Sequence, residues 1–223
     1  MFKYLYYLLA LVLYILAIPY LLIKSRNPKY AKAIPAKFFL QDNPKFPKDK
    51  IWFHSCSHGE TVALKSIFER FSKEEINLSV ITNTGFEQGL KLVDNVRYLP
   101  FEIFLPFWIT KQKVLVVMEA ELWYMLFLVA KRKGAKTILL NARISDKSYK
   151  SYKKFSYLYK HIFKYVDKIF AQSELDKQRL QELGAKNIEV IGNIKLATLP
   201  NVIFLSPLTT SVVPITSTRS SSL

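Results

Sequence analysis

Glu60 is the residue whose position most clearly suggests chemistry. Residues 51–53 are apolar and suit a strand that is buried on both faces. The apolar residues that follow fall on one side of a helix that begins near Gly59: Val62, Leu64, Ile67, Phe68 and Phe71. A carboxylate in the first turn of that helix is held ionised by the helix dipole, at the strand end where open α/β sheets bind ligands. Glu60 is therefore a candidate general base, although its spacing from Ser57 also fits a capping box that only closes the helix.

Other polar residues follow the later apolar runs of the chain. If each run is a strand of one parallel sheet, the residues after the strands meet at a single edge. Helix caps account for Ser, Thr and Asn at such positions, but not for Arg143 or Lys195. The set resembles a site for a phosphorylated or acidic sugar: Glu60, Thr82, Asn83, Thr84, Glu119, Glu121, Asn141, Arg143, Gln172, Ser173, Asn193 and Lys195.

A metal site is the main alternative around Glu60. His54, Cys56, His58 and Glu60 alternate in the sequence, so all four would share one face of a continuous strand. A turn at residues 57–59 ends that alternation, and we predict no metal. Cys56 is the only cysteine, which excludes an internal disulfide framework and fits a reducing compartment.

The elements that position these residues alternate along the chain. After the first strand, strands are predicted at 78–82, 96–99, 114–118, 137–140, 168–171 and 188–191. The clearest helices are predicted at 121–133, 149–166 and 173–183. Strands that alternate with helices indicate right-handed βαβ crossovers, and therefore an α/β fold with a doubly wound parallel sheet.

The N-terminus predicts a membrane anchor. Residues 4–23 carry no charge, and as a helix they would reach about 30 Å, the thickness of a bilayer core. We assign the anchor to residues 1–24, and cationic residues just after it place the domain in the cytoplasm. A helix that lies in the membrane interface, with tyrosines at headgroup depth, is the alternative. Residues 25–49 contain four prolines among lysines and are predicted to run along the surface as a linker to a domain at 50–196.

The charge of the chain indicates an anionic partner. The formal net charge is +16, which favours a membrane surface, a phosphorylated substrate or nucleic acid. The basic segment 131–164 also contains aromatics, but these step along one predicted helix face as core: Tyr152, Phe155, Tyr159, Ile162 and Val166. The lysines then form the solvent-exposed face of that helix. Because the chain also has a membrane anchor, we expect anionic lipid rather than nucleic acid as their partner. A basic module that binds membrane or nucleic acid without catalysis remains the alternative function.

Five motifs, in unbroken order, resemble the 3-deoxy-D-manno-octulosonic acid (Kdo) transferase family. They are His54-Ser-Cys-Ser-His-Gly-Glu60, Met118-Glu-Ala-Glu-Leu-Trp123, Asn141-Ala-Arg-Ile-Ser145, Ala171-Gln172 before Asp176, and Gly192-Asn-Ile-Lys195. The resemblance implies transfer of Kdo from CMP-Kdo to the lipid A precursor on the cytoplasmic face of the bacterial inner membrane, without a cofactor. It also implies a Rossmann-like N-terminal, acceptor-side domain of a GT-B glycosyltransferase.

The same resemblance implies roles for individual residues. Glu60 is expected to be the base, and Glu119 and Lys195 to flank the transition state. We expect the acceptor to be bound by Ser57, Gly59, Thr82, Thr84, Glu121 and Arg143, with a salt bridge to Glu121 as the alternative role of Arg143. The sequence departs from the family pattern at His58, Ala120, Tyr124 and Met125, where the family usually has a small apolar residue, Thr, Pro and Asn.

The segment 197–223 changes composition abruptly and is rich in Ser and Thr. The family resemblance ends at the same place. We therefore expect 197–223 to be an off-pattern tail, and a donor-binding second domain to be missing, so that the chain holds CMP-Kdo poorly. This expectation lies outside the residues that the structure describes.

Overall fold

The computed structural model describes residues 1–195, which form a seven-stranded sheet in which all neighbouring strands are parallel. The strand order is β3-β2-β1-β4-β5-β6-β7. This confirms the predicted doubly wound α/β fold. The strands are β1 (Ile51–Ser55), β2 (Ile76–Val80), β3 (Asn95–Tyr98), β4 (Val114–Met118), β5 (Lys136–Ala142), β6 (Lys168–Ala171) and β7 (Ile188–Val190).

Helices cover both faces of the sheet, so the central strands are apolar on both sides. Along β4, Leu115 and Val117 belong to one hydrophobic core, whereas Val114, Val116 and Met118 belong to the other. The helices are α1 (Phe2–Ser25), α2 (Ala33–Phe39), α3 (His58–Ala63), α4 (Lys65–Phe68), α5 (Asn83–Leu90), α6 (Leu105–Trp108), α7 (Tyr124–Arg132), α8 (Asp146–Lys154), α9 (Ser156–Phe163) and α10 (Glu174–Glu182).

Two predicted helices are broken in the structure. The helix after Glu60 is interrupted at Leu64, which separates α3 from α4. Leu64, Ile67 and Phe68 are buried, as expected for the core-facing side, while Val62, predicted to be on the buried side, is 43% exposed.

The predicted helix 149–166 is broken at Phe155. Phe155 was predicted to be a core residue, but it is 61% exposed. The break allows Ile162 and Phe163 of α9 to pack into the core independently of the direction of α8. Tyr152 and Tyr159 are half-buried and stacked on each other. The lysines of these helices are exposed, as predicted: Lys150, Lys153, Lys154, Lys160 and Lys164.

The segment 25–49 is not a linker confined to the surface. Its helix α2 buries Ala33, Ile34 and Ala36 against the domain. Further along, the side-chain amide of Asn43 donates hydrogen bonds to the carbonyl oxygens of Ala36 and Tyr98. The sequence prediction was wrong because short apolar groups among prolines and lysines gave no periodic signal, although they have a core to pack against.

Helix α1 is, within residues 1–195, the one helix long and apolar enough to cross a membrane. It nevertheless contacts the rest of the protein near both ends and at its middle. Phe2 stacks on His161 with 3.9 Å between ring centroids, and the Tyr14 hydroxyl donates to the Phe38 carbonyl at 2.6 Å. Leu21 is buried near the C-terminal end. The opposite side exposes a continuous apolar surface: Leu5, Leu8, Leu9, Val12, Leu13, Ile15, Leu16, Leu22 and Ile23.

The contact of α1 with the domain includes a buried carboxylate. The Tyr6 hydroxyl donates to Glu102, whose other oxygen accepts a hydrogen bond from the Met125 amide at 2.8 Å. Burial raises the pKa of Glu102, and these two donors oppose that rise. An ionised Glu102 in this position therefore depends on α1 for one of its donors.

We predict that Tyr6→Phe lowers the free energy of unfolding by about 1–3 kcal/mol, because it removes a donor from a buried carboxylate. The matched control is Tyr4→Phe, since Tyr4 is exposed and its ring contact with Lys3 survives the change. Denaturant unfolding in a neutral detergent measures both. Equal stability of the two variants would contradict the proposed importance of the Tyr6 hydroxyl.

Candidate active site

The sheet reverses its winding direction between β1 and β4. From β1 the chain proceeds to β2 and β3 on one side, and from β4 it proceeds to β5, β6 and β7 on the other. Such a reversal opens a crevice at the carboxyl ends of the two central strands, where doubly wound folds bind their ligands. Glu60 follows β1 and Glu119 follows β4, so the two carboxylates flank this crevice.

Glu60 is buried at the first turn of α3, with 7% of its surface exposed. Its Oε2 accepts a hydrogen bond from the Cys56 amide at 2.8 Å, and its Oε1 accepts one from the Ser57 hydroxyl at 3.0 Å. The Ser57 hydroxyl oxygen in turn accepts from the Glu60 amide at 3.4 Å. Ser57 therefore caps the helix, but the reciprocal half of the predicted capping box is absent, because Glu60 accepts from the Cys56 amide and not from the Ser57 amide. With one hydrogen bond each, both carboxylate oxygens keep a free lone pair.

The electrostatic surroundings make Glu60 a stronger base than an exposed glutamate. Burial raises its pKa, and the carboxylates of Glu119 and Glu121 raise it further. The hydrogen bonds from Cys56 and Ser57 oppose this rise without cancelling it. The pKa of Glu60 is therefore raised although the residue lies in the first turn of α3, where the helix dipole favours the ionised form.

Lys195 pairs with Glu119 and not with Glu60. The Lys195 Nζ lies 2.5 Å from Glu119 Oε1, and both side chains are partly exposed to the crevice. Glu119 has a left-handed backbone with φ of 55°, a conformation that is uncommon outside Gly, Asn and Asp. This backbone turns the chain sharply at the end of β4, where the Glu119 amide still donates to the Leu140 carbonyl at 2.8 Å.

Asn141 connects the end of β5 to the segment that carries Lys195. It is fully buried, has φ of 56°, and its Oδ1 accepts a hydrogen bond from the Ile194 amide at 3.1 Å. The Gln172 side-chain amide donates to the Asn141 carbonyl at 3.1 Å. Asn141 and Gln172 were both expected at this edge, but the sequence did not indicate that they position the Lys195 segment.

Thr82 connects the second strand to the turn before Glu60. Its hydroxyl donates to the Cys56 carbonyl at 3.1 Å and accepts from the Gly85 amide at 3.2 Å, which caps α5. A Cβ at Gly85 would lie 3.0 Å from the Thr82 hydroxyl, so glycine permits this close approach. Thr84 and Gly59 are exposed at the same edge.

The structure separates Arg143 from Glu121. The Glu121 Oε2 accepts a hydrogen bond from the Trp123 indole at 2.8 Å, whereas Arg143 is exposed and forms no ion pair within residues 1–195. The salt bridge considered for these two residues is therefore absent from the described part of the chain.

Burial, together with Glu121 and Glu60, raises the pKa of the Cys56 thiol to about 12, so Cys56 stays protonated at neutral pH.

The alternating His54, Cys56, His58 and Glu60 do not share a strand face. Strand β1 ends at Ser55, and α3 begins at His58, which is exposed. His54 is fully buried, where its Nδ1 lies 2.9 Å from the Ser79 hydroxyl, and burial lowers its pKa to about 4. No group of three or more potential ligands in the described residues is arranged to hold a metal.

A shallow depression of about 440 Å³ lies beside the crevice. Gly59 and Lys195 both line it, and no atom lies within 4 Å of the position that a Cβ on Gly59 would take. The other lining residues are Val62, Ala63, Lys65, Ser66, Glu69 and Ile194. The depression gives solvent and ligands access to the Lys195 side of the site.

Comparison with known proteins identifies the family. The family model described as 3-deoxy-D-manno-octulosonic-acid transferase (kdotransferase) matches residues 31–198. The chain belongs to the Kdo transferase family.

Curated relatives agree with this assignment. A 3-deoxy-D-manno-octulosonic acid transferase of Chlamydia pneumoniae is 31% identical over 212 residues, which cover 87% of this chain and 48% of the relative. The enzyme of the same name from Rickettsia bellii is 30% identical over 162 residues, or 66% of this chain and 38% of the relative. A bifunctional glycosyltransferase/methyltransferase of Fusobacterium nucleatum is 33% identical over 165 residues, or 67% and 26%. The chain thus spans about half, or less, of the length of these relatives.

One residue that departs from the expected pattern contributes to the docking of α1. Tyr124 is buried at the start of α7 and packs edge-on against Tyr6, with 4.8 Å between ring centroids. The Met125 amide that donates to Glu102, the partner of Tyr6, is a backbone group, so this contact does not depend on the side chain at position 125.

Sequence reasoning did not place Lys37 near this edge of the sheet, because it lies in the segment interpreted as a linker. Its side chain reaches the sheet edge, where Nζ donates to the Ile81 carbonyl at 3.3 Å. The positive charge of Lys37 lowers the pKa of Cys56, which lies in the turn before Glu60. The available signal was the short apolar group around it, at positions 33, 34 and 36, which indicates a packed helix.

We predict that the stability difference between the wild type and Glu60→Gln depends on pH in a defined direction. A raised pKa means that folded Glu60 keeps a proton that the unfolded chain has released. The resulting stabilisation is complete below the unfolded pKa of about 4.3 and is lost as the pH rises through the folded pKa. The wild type should therefore lose stability relative to Glu60→Gln as the pH rises.

Denaturant unfolding measures this difference in the free energy of unfolding at pH values from about 4 to about 8, a range that brackets a raised glutamate pKa. The same substitution at Glu69, which is exposed, provides the control and should give a nearly flat difference. A wild type that gains stability relative to Glu60→Gln as the pH rises would show that the pKa of Glu60 is lowered.

Proposed function

We propose that this protein transfers Kdo from CMP-Kdo to a lipid A precursor in lipopolysaccharide biosynthesis, with inversion at the anomeric carbon. The observation that carries the proposal is a buried Glu60 with a raised pKa at the switch point of the sheet, with the Lys195–Glu119 pair at the same edge. This chain contributes the acceptor side of a GT-B arrangement, and CMP-Kdo is a substrate, so the reaction uses no resident cofactor.

The proposed mechanism follows from the basicity of Glu60. The carboxylate takes the proton of the acceptor hydroxyl as that oxygen attacks the anomeric carbon of Kdo. The bond from this carbon to the phosphate oxygen breaks, and CMP leaves with the electron pair. A general base works best when its pKa lies towards the operating pH, so the raised pKa of Glu60 suits this step.

Lys195 and Glu119 stabilise the developing charges in this proposal. The Lys195 ammonium offsets negative charge on the departing phosphate, as fixed cations do in phosphate-releasing enzymes. Glu119 holds Lys195 by their 2.5 Å contact and orients it towards the crevice. Because Lys195 is paired with Glu119, its positive charge does not weaken Glu60 as a base.

We assign acceptor binding to the polar residues at the same edge. Ser57, Gly59, Thr82 and Thr84 offer hydroxyl groups and an open backbone near Glu60. Arg143 is an exposed guanidinium without an ion pair in residues 1–195, which suits contact with a phosphate. Glu121, oriented by Trp123, is an acceptor for sugar hydroxyls.

The protein is proposed to work on the cytoplasmic face of the inner membrane, with α1 lying in the membrane interface. A helix that spans the bilayer cannot also contact its own cytoplasmic domain from Phe2 to Leu21, as α1 does. Its outer side instead presents leucines to the lipid, and the exposed lysines of α8 and α9 favour anionic headgroups.

We predict that Glu60→Gln lowers the rate of transfer by roughly 10²–10⁴-fold, because the amide removes the basicity. Its oxygen can still accept from the Cys56 amide, and its nitrogen can donate to the Ser57 hydroxyl, so the helix start is kept. Acceptor affinity should change little, since Ser57 and Thr82 remain in place. A thin-layer assay with CMP-Kdo and lipid A precursor, on the protein expressed from its complete gene, measures transfer. Glu69→Gln is the matched control, and near-normal turnover by Glu60→Gln would return Glu60 to a purely capping role.

We predict that both ends of α1 lie on the same side of the membrane. Single cysteines replace Lys3 or Lys29 in a Cys56→Ser background, and each protein is bound to preformed vesicles that contain anionic lipid. A membrane-impermeant maleimide added outside should label both positions at similar rates. A cysteine at position 3 that reacts only after detergent is added would indicate a spanning helix and contradict the interfacial arrangement.

A further inference from the structure

Lys37 is a partly buried cation without an acidic partner. Its Nζ donates to the Ile81 carbonyl at 3.3 Å, and it forms no ion pair with a carboxylate in residues 1–195. Burial lowers its pKa, and Lys24 lowers it further. A desolvated ammonium that has only one long hydrogen bond retains donors for an additional, negatively charged group.

The position of Lys37 places this unpaired charge next to the proposed base. The Cys56 thiol is close enough to affect the pKa of Lys37, and the Cys56 amide is the group that donates to Glu60 at 2.8 Å. The Ile81 carbonyl, which Lys37 contacts, directly precedes Thr82. Lys37 therefore stands at the same sheet edge as Ser57 and Thr82, although it arrives there from α2.

An apolar cleft of about 70 Å³ adjoins the Lys37 side chain. Among the described residues, Lys37 is the only charged one in its lining, which otherwise consists of Phe38, Ile81, Leu99, Pro100, Phe101 and Trp123. The cleft is also next to the anchor, because Tyr14 of α1 stacks on Phe101 and donates to the Phe38 carbonyl. A cation at one end of an apolar cleft beside a membrane helix matches a ligand with a phosphate and a hydrocarbon chain.

We propose that Lys37 binds a phosphate of the lipid acceptor and thereby positions the acceptor hydroxyl on Glu60. The proposal rests on the proposed function and adds the group that orients the acceptor. A phosphate supplies the charge-assisted hydrogen bonds that the Lys37 ammonium lacks. The first part of an acyl chain then lies against Phe101 and Trp123, on the side of the cleft that faces α1.

The test uses the 223-residue chain, a tetraacylated disaccharide bisphosphate as lipid A precursor, and the same lipid without phosphates, each in neutral detergent micelles. Binding is followed by tryptophan fluorescence. Trp123 lines the cleft, whereas Trp52 and Trp108 are buried, so the change in signal reports mainly on Trp123. The variants are Lys37→Gln, the conservative Lys37→Arg, and the control Lys32→Gln, which removes an exposed lysine at the start of the same helix.

Lys37→Gln should weaken binding of the phosphorylated lipid by roughly tenfold or more, the effect of one charged hydrogen bond. Binding of the dephosphorylated lipid should change by no more than about twofold, as for loss of a screened surface charge. Lys37→Arg should restore most of the affinity for the phosphorylated lipid, and Lys32→Gln should behave like the wild type. This pattern separates recognition of phosphate from a packing role, which would affect both lipids equally.

Three results would overturn the assignment. An equal loss for the two lipids would make Lys37 a structural residue that supports Ile81. A loss of affinity in Lys32→Gln as large as that in Lys37→Gln would assign the effect to the net charge of the protein and not to Lys37. Failure of the wild type to bind either lipid would reject the proposed acceptor site as a whole, and so would be distinguishable from a failure of Lys37 alone.

Discussion

The burial of Glu60 is the constraint on which the rest of the site depends. A carboxylate in a desolvated position is stable only with hydrogen-bond donors, and the structure provides two neutral ones, the Cys56 amide and the Ser57 hydroxyl. A lysine in direct contact would have stabilised the charge more strongly, but it would also have lowered the basicity of the carboxylate. The nearby cation, Lys195, is instead paired with Glu119. The arrangement keeps positive charge close to Glu60 without neutralising it.

That division of charges requires unusual backbone geometry at two strand ends. Glu119 and Asn141 both have left-handed backbone conformations. Glu119 directly follows β4, and Asn141 is the second-last residue of β5. For Asn this conformation costs little, whereas for Glu it costs about 1 kcal/mol or more, so the sheet must hold it in place. The Glu119 amide bonds to the Leu140 carbonyl, and the Asn141 side chain holds the Ile194 amide. The strained turns therefore bring residues from three separate strand ends, β4, β5 and β7, to one crevice.

The sequence predicted the sheet and its functional edge better than it predicted the helices. Apolar runs such as 114–118 identify buried strands directly, and the residue after each run must then lie at the carboxyl edge. Helix breaks at Leu64 and Phe155 depend on what each helix packs against, which no local pattern records. The raised pKa of Glu60 could not be read from the sequence for the same reason, because desolvation is a property of the assembled site. Lys37 was missed because its helix belongs to a segment whose prolines and lysines resemble a linker.

Helix α1 packs directly against the part of the domain that carries the candidate site, which would matter for the proposed transfer to a lipid acceptor. Tyr14 of α1 bonds to the Phe38 carbonyl, and Phe38 is the neighbour of Lys37, whose ammonium lies at the edge that holds Glu60. A flexible tether would leave the height and tilt of the crevice above the membrane undetermined, and each productive encounter would cost orientational entropy. The buried contact between Tyr6 and Glu102 fixes the other end of α1 to the domain. With the helix lying in the interface, the same contacts that dock α1 would set the distance between the lipid surface and the base. Packing of the anchor would then contribute to catalysis by positioning, independently of the residues that perform the chemistry.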